Sequence, residues 1–166
     1  TLNRGTAQWG GKTVIGHNNL FMAYSHVGHD CTLGNQVILA NSAALAGHII
    51  LEDFAIVGGL VAIHQFVRVG CYAIVGGASA VPQDVPPYMC ASGNRAHLFG
   101  LNNVGLKRHQ FPETTISALK QAYRILFRSH ITLTKAVEKV QAEVPDLPEV
   151  RHLLDFLKNS KRGVCR

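Results

Sequence analysis

The chain has 166 residues, which allows one or two domains with a substantial core. No apolar stretch approaches the ~20 residues that a membrane helix needs, so the sequence predicts a soluble protein. The charge is uneven: residues 1–84 carry three basic and four acidic side chains, whereas residues 85–166 carry thirteen basic and six acidic ones. An anionic partner or ligand is therefore expected at the C-terminal half. Nucleic acid is not expected, because these basic residues lack interleaved aromatic residues.

An apolar residue recurs at every sixth position over most of the first half of the chain. The anchors of this repeat are Ile15, Phe21, Val27, Leu33, Leu39, Leu45, Leu51, Val57, Ile63, Val69, Val75 and Val81. The period predicts a parallel β-helix of hexapeptide repeats, with three hexads in each turn. Residues 18 apart should then stack, separated by roughly the 4.8 Å spacing of neighbouring strands. The residue four after each anchor is mostly small or apolar and should also point inward, and the Gly or Ala that often follows an anchor suits tight corners.

The repeat also indicates where the parts of the chain begin and end. Leu2 lies thirteen residues before Ile15 where twelve would keep the register, which predicts a bulge or short loop at residues 6–12. We expect the coil to occupy residues 1–87 and to stop at its prolines, which remove ladder donors. Residues 88–111 are predicted to be a connecting loop. Apolar stripes at helical spacing then predict a small helical domain over residues 112–166, with Thr132 as a cap and Pro148 near a helix start.

The four cysteines show no spacing typical of a metal site. Cys31 falls at an inward position of the repeat. Buried or free thiols in a reducing compartment are therefore expected, without disulfides.

One segment of the coil is unusually rich in groups that can move protons. His29 lies two residues after an anchor, at an outward position, with Asp30 beside it. Addition of 18 places Gly47 over His29 and His48 over Asp30. An exposed imidazole supported by a carboxylate, under an unobstructed backbone N–H, could act as a general base with an oxyanion donor. Histidine suits this role because it titrates near neutrality.

Two other interpretations of these histidines stay open. His26, His29, His48 and His64 could be solvated surface residues of a structural coil. They could also hold zinc, as three histidines on a β-helix can. No two of the four are 18 or 36 residues apart, so none stacks directly on another, and a zinc site would have to be shared between subunits.

Several short sequence motifs of the chain together resemble those of a known family. They are residues 26–31 (HVGHDC), 38–43 (ILANSA), 45–48 (LAGH), 57–59 (VGG), 64–66 (HQF), 83–88 (QDVPPY), 93–94 (GN) and 105–108 (GLKR). They are similar to the UDP-N-acetylglucosamine O-acyltransferase family of lipid A biosynthesis. The resemblance implies a left-handed β-helix and a cytoplasmic homotrimer. It further implies transfer of a 3-hydroxyacyl chain from acyl carrier protein to the 3-hydroxyl of UDP-N-acetylglucosamine, with no metal or organic cofactor. The basic C-terminal half fits both anionic substrates.

The resemblance also implies roles for individual residues. His29 corresponds to the general base, Asp30 to its supporting carboxylate, and Gly47 to the donor for the oxyanion. The residues that resemble the family's substrate-binding positions are His26, His48, His64, Gln65, Asn102 and Arg108, the last two near the nucleotide. Gly77 matches the position that sets acyl length.

The sequence departs from the family in three respects. Val104 stands where a Glu is expected and His109 where a second Arg is common. The match begins inside the family's coil, so we expect N-terminal coils of the family to be missing here.

Two other functions compete with acyl transfer from acyl carrier protein. They are an acetyl-CoA-dependent O-acetyltransferase on the same coil and a scaffold without catalysis.

Overall fold

The computed structural model describes residues 1–166, and its first half is a β-helix of two-residue strands. The strands are β1 (Val14–Ile15), β2 (Leu20–Phe21), β3 (His26–Val27), β4 (Thr32–Leu33), β5 (Ile38–Leu39), β6 (Ala44–Leu45), β7 (Ile50–Leu51), β8 (Ile56–Val57), β9 (Ala62–Ile63), β10 (Arg68–Val69), β11 (Ile74–Val75) and β12 (Ala80–Val81). The second residue of each strand is one of the predicted anchors. Every anchor from Val27 onward is buried, and so is the residue four after it.

The strands form three parallel sheets, one on each face of a triangular prism. Their orders are β1-β4-β7-β10, β2-β5-β8-β11 and β3-β6-β9-β12. Within each sheet the partners are 18 residues apart, as in the pairs of Val27 with Leu45 and of Leu45 with Ile63. The predicted hexapeptide-repeat β-helix is therefore confirmed.

The three corners of the prism are built alike. The third residue after each anchor has a left-handed backbone, with φ between 54° and 66° from Asn18 to Ala78, and none of these residues is Gly. Glycine was expected to serve the corners; instead it serves close packing between coils. A Cβ on Gly28 would lie 2.6 Å from the carbonyl oxygen of Ala46 in the next coil.

We call the corners the histidine corner (29–30, 47–48, 65–66, 83–84), the glycine corner (23–24, 41–42, 59–60, 77–78) and the tyrosine corner (17–18, 35–36, 53–54, 71–72).

The predicted irregularity before β1 is present and covers one corner. Residues Ala7–Trp9 form a short 3-10 helix, which ends at Gly10 and Gly11, both with positive φ. The backbone N–H of Thr6 donates to the Asp30 carboxylate. The loop is thereby held over the histidine corner.

The segment predicted as a connecting loop is instead ordered and continues the coil. It holds β13 (Met89–Ser92), β14 (His97–Leu101) and α1 (Asn103–Arg108). Strand β13 pairs in parallel with β11, and β14 pairs antiparallel with β13. The prolines do not end the ladder, because residues beside them supply its donors: Val85 donates to the carbonyl of Arg68, and Tyr88 to that of Cys71.

Helices α2 (Glu113–Arg128), α3 (Leu133–Glu143) and α4 (Pro148–Lys158) complete the chain. The side chain of Thr132 caps α3, and Pro148 begins α4. Their apolar stripes join the core of the coil in one continuous cluster. None of the helices has the length and apolar character needed to cross a membrane. All four cysteines are free thiols.

Candidate active site

The first turn of the histidine corner holds a histidine fixed by a carboxylate. Nδ1 of His29 lies 2.8 Å from Oδ2 of Asp30. Because a carboxylate only accepts, Nδ1 carries the proton and the lone pair of the imidazole resides on Nε2. The His29 side chain is 44% exposed, whereas that of Asp30 is only 4% exposed. The arrangement is that of an oriented base with a buried support.

The Asp30 carboxylate is held from the other side by the N-terminal loop. Thr6 donates its backbone N–H to Oδ1 and its hydroxyl to Oδ2, each at 2.9 Å. Burial of the carboxylate raises its pKa, but the hydrogen bonds from His29 and Thr6 outweigh that effect and hold the pKa of Asp30 below its usual value. Asp30 is therefore ionised at neutral pH and keeps the proton of His29 on Nδ1.

Gly47, one coil above, lies directly against the imidazole of His29. A Cβ built on Gly47 would lie 2.6 Å from Cε1 and 2.7 Å from Nε2 of His29. The backbone N–H of Gly47 donates to no other group of the chain. Gly47 is itself buried, so a backbone donor without a partner lies beside Nε2, the pairing that a base and an oxyanion donor require.

His48 packs among aromatic rings beside this pair. Its ring stacks on Phe66 at 4.6 Å and meets Trp9 and His29 edge-on at 4.9 Å and 5.0 Å between ring centroids. Its Nε2 lies 3.9 Å from Oδ2 of Asp30. His29, Asp30 and His48 have ligand atoms within 4.8 Å of one another, close enough to hold a metal ion. His26 and His64 are not part of this cluster, so the histidine-only zinc site is not formed within the chain.

Gly47→Ala is expected to lower the rate of any reaction in which His29 acts as the base by roughly a hundredfold, because a misplacement of a catalytic group by about 1 Å can have that effect. The added methyl would occupy the space of the imidazole ring, and His29 would have to swing out. The backbone at Gly47 does not have positive φ, so alanine can adopt it without strain. Steady-state kinetics together with a melting curve would check this. A variant with wild-type turnover would show that His29 does not act from the position seen here.

The remaining residues predicted for the site divide between the corners. Gln65 stacks over Gly47 on the histidine corner, and His26 and His64 lie on the adjoining β3-β6-β9-β12 face. Gly77 lies on the glycine corner, above Gly59. Asn102 lies near the tyrosine corner, where its side chain donates to the carbonyl of Tyr72.

Asn102 differs from expectation in its surroundings. The side chain is buried, and it also accepts from the backbone N–H of Gly105 as the cap of α1. Both ends of its amide are thus occupied within the chain, so it positions α1. Arg108 lies exposed in the last turn of that helix.

A positively charged recess adjoins the histidine corner. It has a volume of about 590 Å³, and its lining includes the basic residues Arg68, Lys161 and Arg162 and one acidic residue, Asp84, besides His48 and Phe66. The thiol of Cys31, the residue after Asp30, is fully buried and donates to the carbonyl of Ala46. Burial raises the pKa of Cys31, so this thiol is no nucleophile.

Sequence reasoning missed four residues that shape the site: Thr6, Trp9, Thr13 and Phe66. The Thr13 hydroxyl accepts the backbone N–H of Asp30. Phe66 lies 18 residues after His48, so the same stacking rule could have found it. The other three belong to the irregular N-terminal segment, and no repeat indicates where their side chains go.

Comparisons with known proteins agree over the length of the chain. Residues 84–165 match the family model described as Udp N-acetylglucosamine O-acyltransferase, Domain 2, and residues 12–47 match the one described as Bacterial transferase hexapeptide (six repeats). An acyl-[acyl-carrier-protein]–UDP-N-acetylglucosamine O-acyltransferase from Thermodesulfovibrio yellowstonii is 57% identical over 100% of this chain and 64% of its own length. Its counterpart from Anaeromyxobacter dehalogenans is 49% identical over 100% of this chain and 65% of its own length.

A solved structure gives the same result for the fold. The UDP-N-acetylglucosamine acyltransferase from Bacteroides fragilis superposes with a TM-score of 0.96 at 43% identity, over 99% of this chain and 64% of its own. The chain therefore spans about 65% of the length of the curated relatives that it matches.

Proposed function

We propose that this chain, which belongs to the UDP-N-acetylglucosamine O-acyltransferase family, carries the catalytic groups for the first step of lipid A biosynthesis. The reaction moves a 3-hydroxyacyl chain from acyl carrier protein to the 3-hydroxyl of UDP-N-acetylglucosamine. One observation carries the proposal: the imidazole of His29, held by the buried carboxylate of Asp30, lies against Gly47 with Nε2 free. The relatives whose names state this activity support the choice of substrates.

The chemistry follows from these groups. Nε2 of His29 takes the proton of the sugar 3-hydroxyl while its oxygen attacks the thioester carbonyl. The backbone N–H of Gly47 donates to the oxyanion of the tetrahedral intermediate. When the intermediate collapses, the carbon–sulfur bond breaks and the leaving thiolate takes the proton from His29. The Asp30 carboxylate stabilises the imidazolium that exists between the two proton transfers.

Direct attack needs no protein nucleophile, because a thioester is already activated. The burial of Cys31 fits this scheme, and the scheme requires no metal or organic cofactor. The positive recess beside His48 suits the anionic groups of a sugar nucleotide or of an acidic carrier protein. We also propose a cytoplasmic location, which four free thiols fit.

We propose further that the working form is a homotrimer. Within one chain His29 and Gly77 lie at the two corners that flank the β3-β6-β9-β12 face, so a groove between two adjoining copies would bring both to one substrate. Tyr24 and Leu60, on the glycine corner, are 90% and 70% exposed. The adjoining face presents only Ala44, Ala62 and Ala80 at its outward strand positions beyond His26. Small side chains permit close approach, and exposed large apolar ones favour burial against another chain.

Light scattering of the purified full-length protein at micromolar concentration is expected to give three times the mass of one chain, since closed cyclic symmetry is the rule for such assemblies. Leu60→Glu should lower that mass, because it places a charge in the proposed contact. A monomer mass for the wild-type protein would reject the trimer.

Gly77→Met is expected to shorten the preferred acyl chain by several carbons without abolishing activity. A Cβ on Gly77 would meet only the backbone of Gly59, its carbonyl oxygen at 3.2 Å and its nitrogen at 3.9 Å, and the site is otherwise open and exposed. The added side chain would fill the far end of an acyl groove and leave His29 untouched. Each excluded methylene is worth about 0.8 kcal/mol, or roughly fourfold in preference. Competition between long and short acyl donors measures this, with Gly77→Ala as the smaller step; an unchanged preference would show that the groove does not end here.

The function itself is tested by mass spectrometry of products from the full-length protein with UDP-N-acetylglucosamine and a panel of donors that comprises acyl carrier thioesters and acetyl-CoA. An O-acylated sugar nucleotide is expected. Product formed only from acetyl-CoA would instead support the O-acetyltransferase, and no product from any donor would support the scaffold.

A further inference from the structure

A second cluster of reactive side chains lies on a different part of the coil, where α4 packs against it. Nε2 of His152, on α4, is 2.7 Å from Oε2 of Glu52, which follows β7. Cys71, on the tyrosine corner, donates its backbone N–H to the same carboxylate oxygen at 2.9 Å. The thiol, the imidazole and the carboxylate have ligand atoms within 4.8 Å of one another. The cluster thus joins parts of the chain that are 100 residues apart.

The cluster opens onto a cavity with a volume of about 690 Å³. The lining includes Tyr72, Tyr88 and Phe111 besides the three clustered residues. Glu52, Cys71 and His152 are each half-buried. An ion can therefore reach the cluster from the cavity, and a water molecule can complete its coordination.

The surrounding charges orient the carboxylate for a ligand. Arg68 pairs with Oε1 of Glu52 at 3.3 Å, which leaves Oε2 for Cys71 and His152. Without an ion the cluster is a charge-assisted hydrogen bond: contacts with Cys71 and Glu52 raise the pKa of His152 to about 10 against the opposing effect of burial. The alternative to a metal site is therefore a hydrogen-bonded ion pair between His152 and Glu52.

We propose that Glu52, Cys71 and His152 form a zinc site that fastens α4 to the β-helix. Cysteine, histidine and a single carboxylate are the ligands that zinc prefers, whereas calcium and magnesium require a set of oxygen ligands. Three protein ligands and one position open to the cavity match a four-coordinate ion. Zinc binds the thiolate and the neutral imidazole, so binding releases whatever protons these ligands carry.

The His152–Glu52 pair needs only a small adjustment to share a zinc ion. Tetrahedral bonds of about 2.0–2.2 Å place two ligand atoms about 3.3 Å apart. Nε2 of His152 and Oε2 of Glu52 would therefore separate by about 0.6 Å from their 2.7 Å contact. The His152 side chain is 41% exposed, so it has room to move.

The test is titration of the chelator-treated full-length protein with Co²⁺, which reports a cysteine ligand through its thiolate-to-metal charge-transfer absorption. We expect this absorption to saturate at one Co²⁺ per chain and to vanish when Zn²⁺ is added. Cys71→Ser should abolish it, and His152→Ala should weaken Co²⁺ binding by about tenfold or more. The matched control is Cys90→Ser, which removes a half-buried thiol outside the cluster and should leave the titration unchanged.

A second readout is independent of the thiol. Zn²⁺ at a hundred times its dissociation constant should raise the melting temperature by about 5–10 °C, and His152→Ala should reduce this shift by about half or more. His48→Gln should retain it, because the cluster of His29, Asp30 and His48 is a separate group. Absence of the charge-transfer absorption in the wild-type protein, or its survival in Cys71→Ser, would overturn the proposal and leave the ion pair alone. Acyl transfer does not enter either measurement, so the outcome is independent of the proposed function.

Discussion

His29→Ala in the full-length protein is expected to lower the rate of acyl transfer by about two to four orders of magnitude, the range typical of a lost general base. The residual rate would come from substrate positioning and from the Gly47 N–H. The loss should appear in kcat, because His29 acts on the proton that moves in the transition state. Steady-state kinetics at saturating donor and acceptor would measure it.

The fold should survive this substitution, because the imidazole is 44% exposed and contributes little to the core. Melting curves of mutant and wild type should therefore nearly coincide. Asp30→Asn is a useful companion: it keeps the shape but removes the charge that fixes the tautomer of His29, so it too should lower kcat. An unchanged rate in His29→Ala would remove the assignment of the base and favour a scaffold.

Leu39→Asp is expected to unfold the chain or make it insoluble. The Leu39 side chain is fully buried in the coil, and a carboxylate there would have no partner. We expect a cost of at least about 4 kcal/mol, a large part of the roughly 5–15 kcal/mol that stabilises a typical protein. Urea unfolding followed by circular dichroism would measure it.

Asn41→Asp is the matched control for the phase of the repeat. It lies two residues further along, at an exposed corner position, and its side chain makes no hydrogen bond within the chain. The change in stability should stay within about 0.5 kcal/mol, as for most surface substitutions. Equal midpoints for the two variants would contradict the assignment of inward and outward positions.

The periodic part of the structure could be predicted from the sequence because its contacts are themselves periodic. Each anchor stacks on the residue 18 positions away, as Val27 does on Leu45. The same arithmetic places Gly47 over His29, and the added-Cβ distances bear that out. One local rule, repeated, therefore determines both the faces of the coil and the central pair of the site.

The non-periodic segments were decided by tertiary contacts. The prolines after β12 suggested an end to the ladder, yet Val85 and Tyr88 supply its donors, and β13 adds a further strand. Pairing with an existing sheet edge outweighs the local preference of such a segment for a loop, because it satisfies backbone groups that would otherwise remain unpaired.

What the sequence by itself determined is the repeat, the direction of its side chains, and the histidine and glycine that face each other at one corner. Only the tertiary structure decided that Thr6 holds Asp30 and that His152 meets Glu52 across 100 residues. The physical reason is that a repeat specifies neighbours at a constant separation along the chain. A loop or a docked helix instead finds its partners by shape and charge, at separations that no period contains.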